Sequence, residues 1–314
     1  MAWSEERLHR WLARRPRPRI LAGSAGHDAA VLRAAKAGER PVCCVDSCVE
    51  GVHYEPGTPP LRVGRKAAAR ALSDLAATAA RPRAVLLALS APAEREETWL
   101  RAVIRGVAAA AGDAGAELVA GDLCCAAGPA QASVTALGTL PAGPRPPGRD
   151  RARPGQVLVV TGPLGGSSLG RHLRIRPRLA EGAWLHRRGA TALMDVSDGL
   201  ARDLARLAAA SGVRLELDRV PVHRDVRRLA GDGHGAHWHA LHDGEDHELV
   251  ATLPARRLPR VLAEAPRRCP GLVVLGRVGR GRGLYLPAEP GVGQGPGQRV
   301  RWDESGGYVH GEPS

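Results

Sequence analysis

Apolar residues recur along the chain in two rhythms, short runs that suit buried strands and three-to-four spacings that suit amphipathic helices. After an opening helix over residues 5–14, the β-branched and cysteine-rich stretch 42–54 predicts a strand. Residues 59–80 predict a helix, 84–90 a strand, and 94–111 a helix with Leu100, Val103, Ile104 and Val107 on one face. Strands follow at 117–119 and 132–140. Residues 141–154 are dense in Pro, Gly and Arg, which disfavours helix interiors and central strands alike. The chain therefore divides there into domains 1–145 and 146–314. The second series has strands at 157–161, 192–196, 214–217, 248–253 and 272–278 and a helix at 200–210. A Gly- and Pro-rich loop at 287–297 precedes a closing segment with Trp302 and Tyr308. The alternation predicts an α/β (α+β) chain of two domains, an N-terminal mixed sheet with helices and a C-terminal α/β sandwich.

Composition narrows the setting. The 314 residues, 44% of them hydrophobic, allow a substantial core, but the longest apolar runs, such as 84–89 and 157–160, are far short of a membrane span. The charged N-terminus with its Arg-Pro repeats lacks a secretory apolar stretch, so a cytoplasmic location is expected. Cys43-Cys44 and Cys124-Cys125 lie in strand-like segments and read as buried reduced thiols; neither pair forms a Cys-x-x-Cys. The net charge of +13 attracts polyanions. Nearly all of it is scattered Arg without interleaved aromatics, which argues against a nucleic-acid face. Lys occurs only at Lys36 and Lys66, the latter read as a helix-surface residue. His234, His237, His239 and His242, in the stretch 234–247, read as a Gly-rich surface loop, and Trp184 and Trp238 as core or interface residues.

The chemistry concentrates in carboxylates at the ends of apolar segments: Asp28, Asp46, Asp74, Asp122, Asp195 and Asp198. Each alone reads as a cap or turn residue, and Asp74 as an ion-pair partner of Arg70. Together, in Ala, Val, Leu and Cys surroundings, they repel one another unless cations neutralise them. Hard oxygen donors suit Mg²⁺, which completes its shell with water and phosphate, and this points to phosphoryl transfer.

Seven phrases at 26–32, 46–54, 64–77, 120–122, 160–165, 195–200 and 244–249 resemble, in order and approximate spacing, those of thiamine-monophosphate kinases. The resemblance implies ATP and thiamine monophosphate as substrates and a homodimer in which N-terminal domains pair sheets. It further implies several Mg²⁺ ions on Asp28, Asp46, Asp74, Asp122, Asp195 and Asp198. Gly121, Asp122, Ser197 and Arg149 match nucleotide contacts, and His53, Glu245 and Tyr308 match thiamine-phosphate contacts; Asp46, Asp122, Asp198 and Arg149 carry the catalytic roles. The pattern departs at His27, Cys44, Val45 and Ala71, in the Ala120-Gly121 pair, at His247 where tyrosine is usual, and in a short segment near 169–171. A thiol is a poor Mg²⁺ donor. Two alternatives stay open: another ATP-using member of the superfamily, which includes aminoimidazole ribonucleotide synthetase, selenophosphate synthetase and a hydrogenase-maturation enzyme, or an impaired nucleotide-binding or basic nucleic-acid-binding protein.

Overall fold

The computed structural model describes residue 11 and residues 36–143, 145–287 and 299–302. All of the opening helix but residue 11, together with His27, Asp28, Tyr308 and nearly all of the 287–297 loop, lies outside the described residues. The chain forms two compact units: Met1–Leu75 with Ala80–Arg145 and Leu173–Pro177, and Ala76–Ala79 with Pro146–His172 and Arg178–Ser314.

The first unit is a four-stranded sheet in the order β1-β4-β2-β3, formed by β1 (Glu39–Val49), β2 (Arg81–Ala91), β3 (Glu117–Cys125) and β4 (Gln131–Pro141). Only β2 and β3 run parallel, joined by helix α2 (Glu97–Asp113), while helix α1 (Pro60–Ala77) connects β1 to β2. The apolar face expected for α2 is the face it buries, at Leu100, Val103, Ile104 and Val107. Gly64 of α1 and Gly106 of α2 mark a close approach of the two helices: a Cβ on either would overlap backbone of the other. β1 stops at Val49, short of residue 54, because Gly51 turns the chain at φ +77° and Tyr54 returns to bridge Glu50. β3 runs six residues beyond 119, to Cys125, its pairing with β2 carried through Gly121 and Asp122.

The second unit is built on a seven-stranded sheet in the order β11-β10-β7-β9-β5-β8-β6. Its strands are β5 (Gln156–Val160), β6 (Ala192–Asp195), β7 (Arg214–Leu217), β8 (Leu249–Pro254), β9 (Val273–Gly279), β10 (Gly283–Pro287) and β11 (Arg299–Arg301). Helix α4 (Leu200–Ser211) buries Leu200, Leu204 and Leu207 in one core with Leu158, Val160, Met194 and Val250. The alternate strand residues Val159, Leu193, Ala251 and Leu253 are buried as well, so the sheet is covered on both faces. Helices α3 (Leu179–Arg187), α5 (Ala236–His242) and α6 (Leu258–Arg268) complete the unit. Glu264 of α6 ties to α3, accepting from Trp184 Nε1 at 2.9 Å and pairing with Arg188 at 2.7 Å.

The thiol expectation is corrected by position. Cys43, Cys124 and Cys125 are exposed on the two edge strands, Cys44 is half-buried, and only Cys48 and Cys269 are fully buried.

Candidate active site

In the first unit, strand alternation turns Cys44 and Asp46 toward α1. The Cys44 thiol donates to the Ala71 carbonyl at 3.1 Å, and Asp46 Oδ1 accepts from Arg70 at 3.0 Å and from the Ser47 amide at 2.7 Å. Burial, followed by the nearby carboxylates of Asp74 and Asp46, pushes the Cys44 thiol up to about 12. It is therefore protonated at neutral pH and a poor donor to a hard cation. Arg70 turns to the strand and reaches Asp46. In the turn after β1, His53 Nδ1 accepts from the Val49 amide at 3.0 Å, which leaves Nε2 as the N–H donor of a neutral ring. Lys66 corrects its sequence reading. It is 0% exposed, and its ammonium donates to the His53 carbonyl, so it anchors the turn that carries His53.

Asp122 stands apart from that group. The register aligns Asp46, Val134, Leu87 and Gly121 on one face and Ser47, Ser133, Ala88 and Asp122 on the other. β1 and β3 are opposite edges of the sheet, three strand spacings or about 14 Å apart.

In the second unit, three loops converge. Asp195 ends β6, and the chain passes through Val196, Ser197 and Asp198 to Gly199, whose φ of +108° and closeness to the Leu241 and His242 carbonyls exclude a side chain. The loop is held on two sides. Glu245 N donates to Ser197 O at 2.7 Å and His247 N to Val196 O at 2.8 Å, both from left-handed residues at φ +50°. Opposite, Asp203 Oδ2 accepts the Ser197 and Asp198 amides, each at 3.0 Å. Burial and the carboxylates of Asp198 and Asp195 push Asp203 up to about 7, against the two amide bonds. Arg206 pairs with Asp198, and its Nη1 lies 3.4 Å from Asp203 Oδ1.

The loop containing Gly165 docks on the same region. Asp246 accepts the Gly165 amide at 3.1 Å and pairs with Arg171 at 2.7 Å, while Ser167 Oγ donates to the Glu245 carbonyl at 2.7 Å. His247 is buried with Nδ1 3.2 Å from Asp195 Oδ2, and its buried Nε2 has no hydrogen-bond partner among the described residues. Ser197, Asp198 and Glu245 remain half-buried and reachable.

Arg149 lies elsewhere in the unit. Its carbonyl accepts from Ser211 Oγ at the end of α4, and the preceding Gly148 bonds Thr191 before β6. The length of α4, about 18 Å, separates that backbone from Ser197 and Asp198. Asp203 escaped the sequence reading because an aspartate one turn into an amphipathic helix looks like a solvated residue. The signal was its placement on the apolar face, three residues after Leu200 and four before Leu207. The histidine stretch is also corrected. Residues 236–242 form α5, with His239 buried between Asp243 at 2.9 Å and Asp232 at 3.1 Å, and Trp238 stacked on His234. Among the described residues, no three His, Cys, Asp or Glu side chains are grouped as a ready-made metal cage.

Comparison with known proteins places the chain. Residues 26–140 match AIR synthase related protein, N-terminal domain, and residues 153–288 match AIR synthase related protein, C-terminal domain. The thiamine-monophosphate kinase of Rhodopirellula baltica is 39% identical over 216 residues, covering 67% of each chain. That of Mycobacterium tuberculosis is 36% identical over 289 residues, covering 83% of this chain and 85% of the other. The solved structure of AaThiL complexed with AMPPCP and TMP superposes with a TM-score of 0.75 at 27% identity, covering 89% of this chain and 90% of that one.

Proposed function

Because the chain belongs to the thiamine-monophosphate kinase family, we propose that it transfers the γ-phosphate of ATP to thiamine monophosphate, giving thiamine diphosphate and ADP. The observation that carries this reading is the loop 195–199, fixed by backbone bonds on one side and by the Asp203 carboxylate on the other while Asp198 and Ser197 stay reachable beside Glu245. Asp203 is pushed up first by burial and then by the nearby carboxylates of Asp198 and Asp195. Such a field suits a divalent cation, and oxygen donors suit Mg²⁺. In this reading Asp28, Asp46, Asp74, Asp122, Asp195 and Asp198 hold Mg²⁺, which neutralises phosphate charge when bound.

The remaining steps belong to the chain and its substrates. The acceptor is a phosphate monoester whose second pKa is about 6, so its attacking oxygen is already ionised at neutral pH and needs no general base. The oxygen–phosphorus bond forms as the bond to ADP breaks, and the protein's task is alignment. Ser197, Gly121 and Arg149 serve the nucleotide. His53, offering Nε2–H from the turn that Lys66 anchors, meets the thiamine phosphate together with Glu245 and Tyr308. A homodimer follows from the same logic: if Asp46 and Asp122 share a site despite standing at opposite sheet edges, a second copy must bring one edge to the other.

A coupled assay of ADP release with ATP, Mg²⁺ and thiamine monophosphate tests the proposal. Thiamine diphosphate is the expected product, with free thiamine a poor acceptor because its hydroxyl is not ionised. Turnover of thiamine without turnover of its monophosphate would overturn it.

A further inference from the structure

We propose that Asp203 is the positioning residue of the Asp195–Asp198 loop, and that it works through one carboxyl oxygen as a double hydrogen-bond acceptor. The inference rests on the proposed metal role of that loop. Asp203 is 1% exposed, and a single atom, Oδ2, accepts two consecutive amides, Ser197 N and Asp198 N, each at 3.0 Å. The Asp203 amide in turn donates to Gly199 O at 3.0 Å, closing the first turn of α4 on the same loop. The Ser197–Asp198 peptide is thereby held at both ends of its dipole, its N–H (Asp198 N) by Asp203 and its C=O (Ser197 O) by the Glu245 amide. Ser197 Oγ and the Asp198 carboxylate thus project from a backbone that cannot rotate. The placement is costly, since a carboxylate buried near two others is disfavoured and an apolar residue would fit the core-facing side of α4. The two amides would then lose their acceptor, and with it the loop its fixed course.

One acceptor atom makes the idea separable from a charge effect. Asparagine can present Oδ1 to both amides without the charge; leucine fills the space and accepts neither. The comparison is Asp203→Asn with Asp203→Leu in the full chain, read by Mn²⁺ binding in electron paramagnetic resonance, hydrogen exchange at the Ser197 and Asp198 amides, and kcat against KM. Asp203→Asn should keep amide protection and Mn²⁺ affinity within about threefold. Asp203→Leu should expose both amides, weaken Mn²⁺ about tenfold or more, and lower kcat more than it raises the KM for thiamine monophosphate. Should Asp203→Leu not fold, Asp203→Ala takes its place in the same titrations. Equal loss of Mn²⁺ in the Asn and Leu variants would overturn the proposal in favour of a charge role. Unchanged exchange and binding in the Leu variant would overturn it outright. The exchange measurement needs no turnover, so a wild-type protein inactive on thiamine monophosphate would refute the kinase reading while the Asp203 clamp is judged separately.

Discussion

Asp246 has an arginine and a backbone amide to hold its charge, yet its pKa is pushed up to about 6, because burial outweighs Arg171 and Gly165. A carboxyl whose pKa is higher folded than unfolded stabilises the fold when protonated. Its contribution is complete below about pH 4, and is lost as pH rises to about 6. A ¹³C titration of the Asp246 carboxyl should give a midpoint near 6, and Asp246→Asn should flatten the pH dependence of stability across that interval. A midpoint near 4 would contradict the burial argument. The proposed ligands answer to a different test. Asp46→Asn, Asp122→Asn and Asp198→Asn should each lower turnover at least tenfold, about 1.4 kcal/mol of barrier, with the fold intact. Normal turnover in all three would remove the metal cluster. Those carboxylates were visible in the sequence because they interrupt apolar runs. Lys66 and Asp203 were not, since a charged residue on a helix reads as solvated until the packing partner of that face is known.

At the scale of elements, the strands and helices that alternate cleanly were legible, among them α2 and β7, because one face of each is apolar at the proper period. Three helices were hidden by their composition. α6 spaces Leu258, Val261, Leu262 and Ala265 at helical intervals, but Pro259 and Pro266 read as breakers, and α5 is masked by histidines flanked by glycine. α3, which α6 packs against through Glu264, shows only a short apolar stripe around Trp184 and Leu185. The crossing of α1 and α2 was also unreadable, since nothing in the chain says that Gly64 meets the backbone of Val103 while Gly106 meets that of Leu61. Here a methyl group has nowhere to go. Gly64→Ala and Gly106→Ala should each cost about 3 kcal/mol in denaturant unfolding despite the better helix propensity of alanine. A neutral or stabilising effect in either would show that the helices separate easily.

For the whole molecule, the sheet of the first unit carries Val45 at 65% exposure, with Cys43, Ala88 and Cys124 also exposed on strands β1 to β3. Apolar strand surface of this kind is a liability in a lone chain. Light scattering at micromolar concentration should therefore give twice the chain mass, and an active monomer would count against the dimer. Alkylation offers a second reading of the same surface. Cys269 is buried with its thiol pushed up to about 12, and Cys48 is buried too, so both should stay unmodified under native conditions. Cys43, Cys124 and Cys125 should react in the separated chain and slow on assembly. The scarcity of lysine turns another buried group into an instrument. Lys36 is exposed and Lys66 is sealed beneath the His53 turn, so an amine-directed acylating dye should mark one side chain and spare the other. The native protein thus accepts a fluorophore at one lysine address, and the slow arrival of a second label at Lys66 would time how often the first unit breathes open.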